Sequence, residues 1–122
     1  GHAWFEPPQA GLDWDDLRRQ PLAALGYHSP NMELAHRHRL ERSATASDQE
    51  AVATLILSGG FVGFLPDHYA EAFVRAGRMR AVAPERLRYA CRFLAIARQS
   101  PEPSRLTQAF HETLCAAHGV CG

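Results

Sequence analysis

The chain contains no lysine: all 13 of its basic residues are arginines, and 13 acidic residues balance them to a net charge of zero. A module that binds nucleic acid by itself usually has a basic surface. We therefore do not expect this chain to hold DNA alone. The absence of lysine also excludes the GxxxxGK[ST] phosphate loop, whose lysine reaches the nucleotide phosphates, and the response-regulator receiver, which needs a lysine late in the chain.

Cysteines are few, and long apolar runs are missing. Cys91, Cys115 and Cys121 form no C-x-x-C pair, so free thiols in a reducing compartment are the expected state. No apolar run approaches the roughly 20 residues that span a bilayer, and no secretory signal opens the chain. We expect a cytoplasmic protein.

Patterns typical of catalysis are also missing. No serine lies in G-x-S-x-G, and no cysteine has a recognisable base beside it in the sequence. His111, Cys115 and His118 follow one another at helical spacing, but three such residues on one short stretch give weak support for a metal site. We expect no enzyme activity, no cofactor and no metal.

The stretch of residues 47–68 predicts a helix, a glycine turn, a buried strand and the start of the next helix. Ser47 and Glu50 have the spacing of a capping box. Gly59 and Gly60 suit a helix end, because glycine tolerates the left-handed conformation there. The apolar run 61–65 is typical of a strand covered on both faces, and Pro66 stops it.

The remaining elements follow from local signals. Asp13 is expected to cap a short helix, and Ser29 and Pro30 are a strong helix start. The further predicted elements are strands at 22–27, 41–46, 79–82 and 86–98, and helices at 30–40, 67–76 and from Ser100 to Gly119. The strand at 86–98 rests on a period-two pattern of arginines and apolar residues.

With 122 residues and 46% apolar content, the chain suits one α/β domain. We expect a mainly parallel twisted sheet with helices on both faces, a long return strand and a C-terminal helix. Ligands of such open sheets bind beyond the carboxyl ends of the strands.

Polar segments follow three of the predicted strands at that edge. The candidate ligand-binding residues are Tyr27, His28, Ser29, Thr45, Ala46, Ser47, Pro66, Asp67 and His68. Helix N-termini at Ser29 and Ser47 suit an anion. The simpler alternative stays open: Ser29, Ser47 and Asp67 are only helix caps, and His28 and His68 are exposed loop histidines.

The order and spacing of these motifs resemble a known family, the LysR-type transcriptional regulators, in the C-terminal half of their effector-binding domain. Matching positions are Ile56, Gly59, Gly60, the strand ending at Pro66, then Gly77 and Met79, with Leu17, Pro21 and Leu22 before the first strand. The resemblance extends over roughly residues 11–117. The segment from Gly60 to Gly63 departs from the family's usual G-x-G-I.

The resemblance implies a sensor with two lobes and a small-molecule inducer between them. DNA would be bound only through an N-terminal winged helix-turn-helix that is not in this sequence. Residues 1–10 would be a tag remnant and hinge segment, 11–98 the second lobe, and 99–122 a helix that packs on the first lobe.

Without that lobe, the stripe of Leu106, Phe110 and Leu114 would support a homo-oligomer. The alternative is a stand-alone flavodoxin-like ligand-binding protein or enzyme subunit.

Overall fold

The computed structural model describes residues 11–119 in two compact units, one up to Ala90 and one from Cys91 onward. The expected tag remnant and hinge at residues 1–10 lie outside the described residues. The elements are α1 (Trp14–Arg18), β1 (Leu22–Leu25), α2 (Pro30–Arg37), β2 (Arg42–Ala46), α3 (Gln49–Leu57), β3 (Val62–Gly63), α4 (Asp67–Arg75) and α5 (Arg105–His118).

The first unit is built around a three-stranded parallel sheet in the order β2-β1-β3. Leu22 pairs with Arg42 on one side and with Val62 on the other. Because β1 is central, all four of its residues are buried. The parallel α/β class expected from the sequence is confirmed.

Helices cover both faces of this sheet. Leu22 and Ala24 on one face join a cluster that includes Leu17 of α1 and Ala35 of α2. Ala23 and Leu25 on the other face pack with Val52 of α3, where Leu55 and Ile56 lie against the same cluster. The alternation along β1 therefore gives each layer of helices its own half of the core.

Local sequence chemistry explains where several helices begin and end. The Asp13 side chain accepts hydrogen bonds from the N–H groups of Asp15 and Asp16, and the Asp16 side chain accepts one from the Asp13 N–H, which completes a capping box. Ser29 and Pro30 start α2 as expected. Gly59 follows α3 with a φ of +80°, a conformation that glycine adopts without strain.

Two predicted strands are wrong. Residues 79–82 and 86–98 contain no strand, and residues 84–86 form a turn instead. A period-two pattern describes which face each side chain occupies, but a strand also needs a neighbour for its backbone hydrogen bonds. Among the described residues no strand pairs with either segment. β3 is also shorter than the predicted run of 61–65.

The second unit contains α5, whose start differs from the prediction. Ser104 caps this helix by accepting a hydrogen bond from the Thr107 N–H at 3.2 Å, so the cap lies four residues after the predicted Ser100. Its end is as predicted, with Gly119 at a φ of 65°. Across residues 11–119, no helix is long and apolar enough to cross a membrane.

Candidate functional site

The carboxyl ends of all three strands lie at one edge of the sheet, because the strands are parallel. The N–H of Gly26 donates to the carbonyl of Ala46 at 2.9 Å, which joins the ends of β1 and β2 directly. A Cβ built on Gly26 would lie 3.5 Å from that of Thr45. Segments 27–29 and 66–68 therefore follow strands that end at this edge, while segment 45–47 consists of the last two residues of β2 and the residue after it; that these segments bind a ligand stays a prediction.

At this edge, α2 begins with a neutral cap. Ser29 is buried, and its Oγ accepts a hydrogen bond from the Met32 N–H at 3.3 Å. Pro30 occupies the first helical position. The predicted cap is confirmed, and no negative charge on the cap residue offsets the positive end of the helix dipole.

The cap of α3 differs from the prediction. Asp48, not Ser47, caps the helix, and its Oδ1 accepts from the Ala51 N–H at 2.8 Å. Ser47 lies one residue outside the helix, with its Oγ 3.4 Å from Asp48 Oδ2. A carboxylate accepts a charge-assisted hydrogen bond and complements the helix dipole, so Asp48 rather than the neighbouring hydroxyl of Ser47 occupies the N-cap position. The α3 N-terminus therefore already has an anion of its own.

The start of α4 also corrects a prediction. Pro66 takes the N-cap position without a side-chain hydrogen bond, and Asp67 is the first helical residue. Asp67 is exposed, and its carboxylate lies in the first turn, where it favours the helix dipole. Of the three caps predicted at this edge, Ser29, Ser47 and Asp67, only Ser29 has that role.

The aromatic and histidine side chains of the edge are open to solvent. Tyr27 is 52% exposed. His28 Nε2 lies 3.4 Å from Glu33 Oε1, and both side chains are exposed, so this contact stabilises little. His68 is the second residue of α4 and is exposed. These residues are accessible at the edge, as a ligand-binding role requires.

The sequence analysis did not identify three residues that lie near the starts of helices and strands and have notable burial or hydrogen bonding. Asn31 is 2% exposed, and neither its Oδ1 nor its Nδ2 has a hydrogen-bond partner among the described residues. The Oε1 of Gln49 is buried and unpaired as well. Arg42 donates from Nη1 to the carbonyl of Leu25 at 3.2 Å. No local pattern marks these positions, because burial and long-range bonds depend on the tertiary fold.

Two titratable groups with shifted pKa values lie away from this edge. Hydrogen bonds from the backbone of Asp16 and its neighbour lower the pKa of Asp13 at the start of α1. Burial, together with the charges of Arg37 and Arg18, lowers the pKa of His38 at the end of α2. The His38 ring stacks on Trp14 at a centroid distance of 3.7 Å.

The thiols and possible metal ligands offer no assembled centre within residues 11–119. The Cys115 sulfur lies 3.8 Å from His111 Nδ1 on α5. No group of three His, Cys, Asp or Glu residues in the described part of the chain is placed to hold a metal ion. Cys91 is exposed and free, and Cys121 lies outside the described residues.

This open parallel sheet, with accessible segments at the carboxyl ends of its strands, is of the α/β class in which ligands bind at that edge. The family model of the LysR substrate binding domain matches residues 1–118. The chain therefore belongs to the LysR substrate-binding domain family.

A curated relative agrees with this assignment. The chain is 36% identical over 117 residues to the HTH-type transcriptional activator BauR of Pseudomonas aeruginosa. The alignment takes in 96% of this chain and 38% of the relative, so the chain spans well under half of that protein's length. No solved structure gives a significant match.

Proposed function

We propose that this chain senses a small anionic effector for a bacterial LysR-type transcription regulator, with the sheet edge formed by residues 27–29, 45–47 and 66–68 as one side of the binding cleft. The observation that carries the proposal is the meeting of three parallel strand ends beside the neutral-capped α2 N-terminus. The family match and the activator relative support it.

The mechanism is a shift between two arrangements of lobes. An effector that contacts this edge and a second lobe stabilises the closed arrangement by its differential affinity for it. DNA binding belongs to a helix-turn-helix elsewhere in the regulator, because this chain has no net positive charge. In this scheme residues 11–98 serve as the second lobe and 99–122 as the helix that packs on the first.

The regulator hypothesis is stronger than that of a stand-alone flavodoxin-like protein or enzyme subunit, since the relative is a transcriptional activator. We place the regulator in the cytoplasm, where such a protein meets DNA, and assign it no catalytic step.

Self-association is part of the proposal. Leu106 and Phe110 of α5 are 80% and 67% exposed, and Leu114 of the same helix is half-buried. Exposed apolar residues on one helix favour association with another apolar surface. For this chain alone, that surface is a second copy; in a regulator with both lobes, it is the first lobe.

The test of effector binding is a titration of the ¹⁵N-labelled chain with small carboxylates, each matched to its neutral amide, for example propionate and propionamide. At about 0.1 M ligand, an interaction of only about 1.4 kcal/mol half-fills a site, so weak binding to one lobe is measurable. We expect the backbone amides of residues 26–29 and of Asn31 to shift with carboxylates and not with the neutral amides. Absence of shifts at this edge, or equal shifts with both probes, would contradict the proposal.

A further inference from the structure

Arg42 reaches from the beginning of its own strand to the carboxyl edge of the next one. It is the first residue of β2 and pairs with Leu22. Its Nη1 nevertheless donates to the carbonyl of Leu25, the last residue of β1, at 3.2 Å. At the rise of a strand this carbonyl lies about 10 Å further along β1 than Leu22. The guanidinium group is therefore at the proposed effector edge.

The register of the sheet explains why that carbonyl needs a side-chain donor. The N–H of Val62 donates to the carbonyl of Pro21 at 3.0 Å, and Ala23 pairs with Gly63. Four residues further, past the last paired residue of β3, the same register would bring the N–H of residue 66 opposite the carbonyl of Leu25. Residue 66 is proline and has no N–H. Arg42 supplies the missing donor, and this bond fixes its guanidinium group at the edge.

Most of the guanidinium group remains available after this bond is made. Arginine has five N–H donors and no acceptor. No carboxylate of the described residues lies within ion-pair distance of Arg42, and no second hydrogen bond from its side chain is present there. By contrast, Arg18, Arg19, Arg75 and Arg88 each pair with an acidic residue three or four positions earlier.

The other charges at the edge make Arg42 the group suited to an anion. Asp48 caps α3 and Asp67 lies in the first turn of α4, so both of these helix starts carry negative charge. His28 already faces Glu33. The attractive groups at this edge include the neutral-capped start of α2 and the further donors of Arg42, which is the arginine held there by a hydrogen bond.

We infer that Arg42 binds the carboxylate of the effector, through a two-pronged contact from its Nε and Nη2 donors while Nη1 stays on Leu25. Planar guanidinium groups match carboxylates in this way, which a lysine ammonium does not. The inference rests on the proposed function, because it assigns a residue within the proposed effector edge.

The test follows the Nε–Hε resonance of Arg42 and the backbone amides of residues 26–29 and Asn31 during titration with propionate, with propionamide as the neutral probe. Arg42→Gln is expected to bind propionate about tenfold more weakly, as for loss of a hydrogen bond to a charged group. Arg42→Lys retains the charge and a donor for Leu25, and we expect an intermediate affinity.

Arg39→Gln is the matched control. Arg39 is exposed and lies just before β2, at the end of the strand away from the proposed effector edge. Its replacement by glutamine removes the same charge. Its left-handed φ of 53° is equally unfavourable for arginine and glutamine. We expect this variant to bind propionate as the wild type does, and its amide spectrum checks the fold alongside that of Arg42→Gln.

The outcomes separate this inference from the proposed function. Edge shifts that persist with equal affinity in Arg42→Gln would overturn the role of Arg42 and leave the edge as the binding site. No edge shift in the wild type would overturn both. If Arg42→Gln does not fold, Arg42→Lys decides: wild-type affinity in that variant would refute a contact that requires the guanidinium geometry.

Discussion

The two units of the chain contain similar apolar residues, but these residues differ in solvent exposure. In the first, Leu22, Ala23, Ala24 and Leu25 are between 0% and 4% exposed. In the second, Phe93, Leu94, Ile96, Leu106 and Phe110 are between 67% and 91% exposed.

The difference lies in the availability of partners. Each residue of β1 has a strand on either side and a helical layer above or below it. Nothing in the described part of the chain pairs with residues 86–98 as a strand. Apolar sequence therefore gives regular, buried structure only where a complementary surface is present.

The largest expected effect is a difference in the free energy of unfolding between two variants with the same substitution, Leu22→Ala and Leu106→Ala. Leu22 is 1% exposed and Leu106 is 80% exposed. Leu22→Ala should lower the free energy of unfolding by about 2–5 kcal/mol, because it removes transfer energy and leaves a cavity. Leu106→Ala should change it by less than about 0.5 kcal/mol. Urea unfolding measures both, and equal losses would refute the contrast between the units.

A second comparison concerns the close contact between β1 and β3. A Cβ on Gly63 would lie 2.8 Å from the Ala23 carbonyl oxygen and 2.9 Å from Ile56 Cδ1. We expect Gly63→Ala to cost about 1–3 kcal/mol, since the backbone carbonyl must move. Gly60→Ala is the control, because its nearest atom would be Ser58 Oγ at 3.6 Å. Thermal denaturation of both variants measures the difference, and a neutral Gly63→Ala would show that β3 is not held as described.

The exposed stripe of α5 is tested by Phe110→Asp. Because Phe110 is 67% exposed, this change should convert a self-associated chain into a monomer while its circular dichroism stays that of the wild type. Sedimentation velocity gives the mass. Gln108→Asp adds the same charge at a polar position of the helix and should leave association intact. Unfolding of Phe110→Asp would instead place this residue in the core of its own chain.

The smallest expected effect is a pH dependence in the first unit. Burial, with Arg37 and Arg18 nearby, lowers the pKa of His38 below its ordinary value of 6.5. The neutral ring is thus favoured in the folded state, and its contribution to stability is full above that pH and is lost as the pH falls through the folded-state pKa. His38→Phe keeps a ring against Trp14 and should flatten the decline in unfolding free energy below pH 6.5. An unchanged slope would contradict this.

Local chemistry predicted much of the first unit from the sequence. Asp13, Ser29 and Gly59 each act within a few residues of themselves, so their roles could be read from neighbouring positions. The parallel sheet followed from short apolar runs alternating with helix starts. The same local reasoning was wrong by one residue at α3, where Ser47 was the predicted cap and Asp48 has that role.

Features that depend on distant parts of the chain were not predictable in this way. Arg42 contacts Leu25 across 17 positions, and the burial of Asn31 depends on the packing of the whole unit. The strand expected at 86–98 required a neighbour that its own pattern does not encode. The sequence located the candidate segments at the edge of the sheet. It did not predict which helix N-termini carry a negative charge there, because that depends on which side chain caps each helix.

The measurement that tests the regulator hypothesis most directly is the sequence of the source gene on the 5′ side of the codons for this chain. The regulator hypothesis predicts an open reading frame that continues through a second α/β lobe into a winged helix-turn-helix. A start codon immediately before Ala3 would contradict it, and a stand-alone binding protein or enzyme subunit would then become the leading hypothesis.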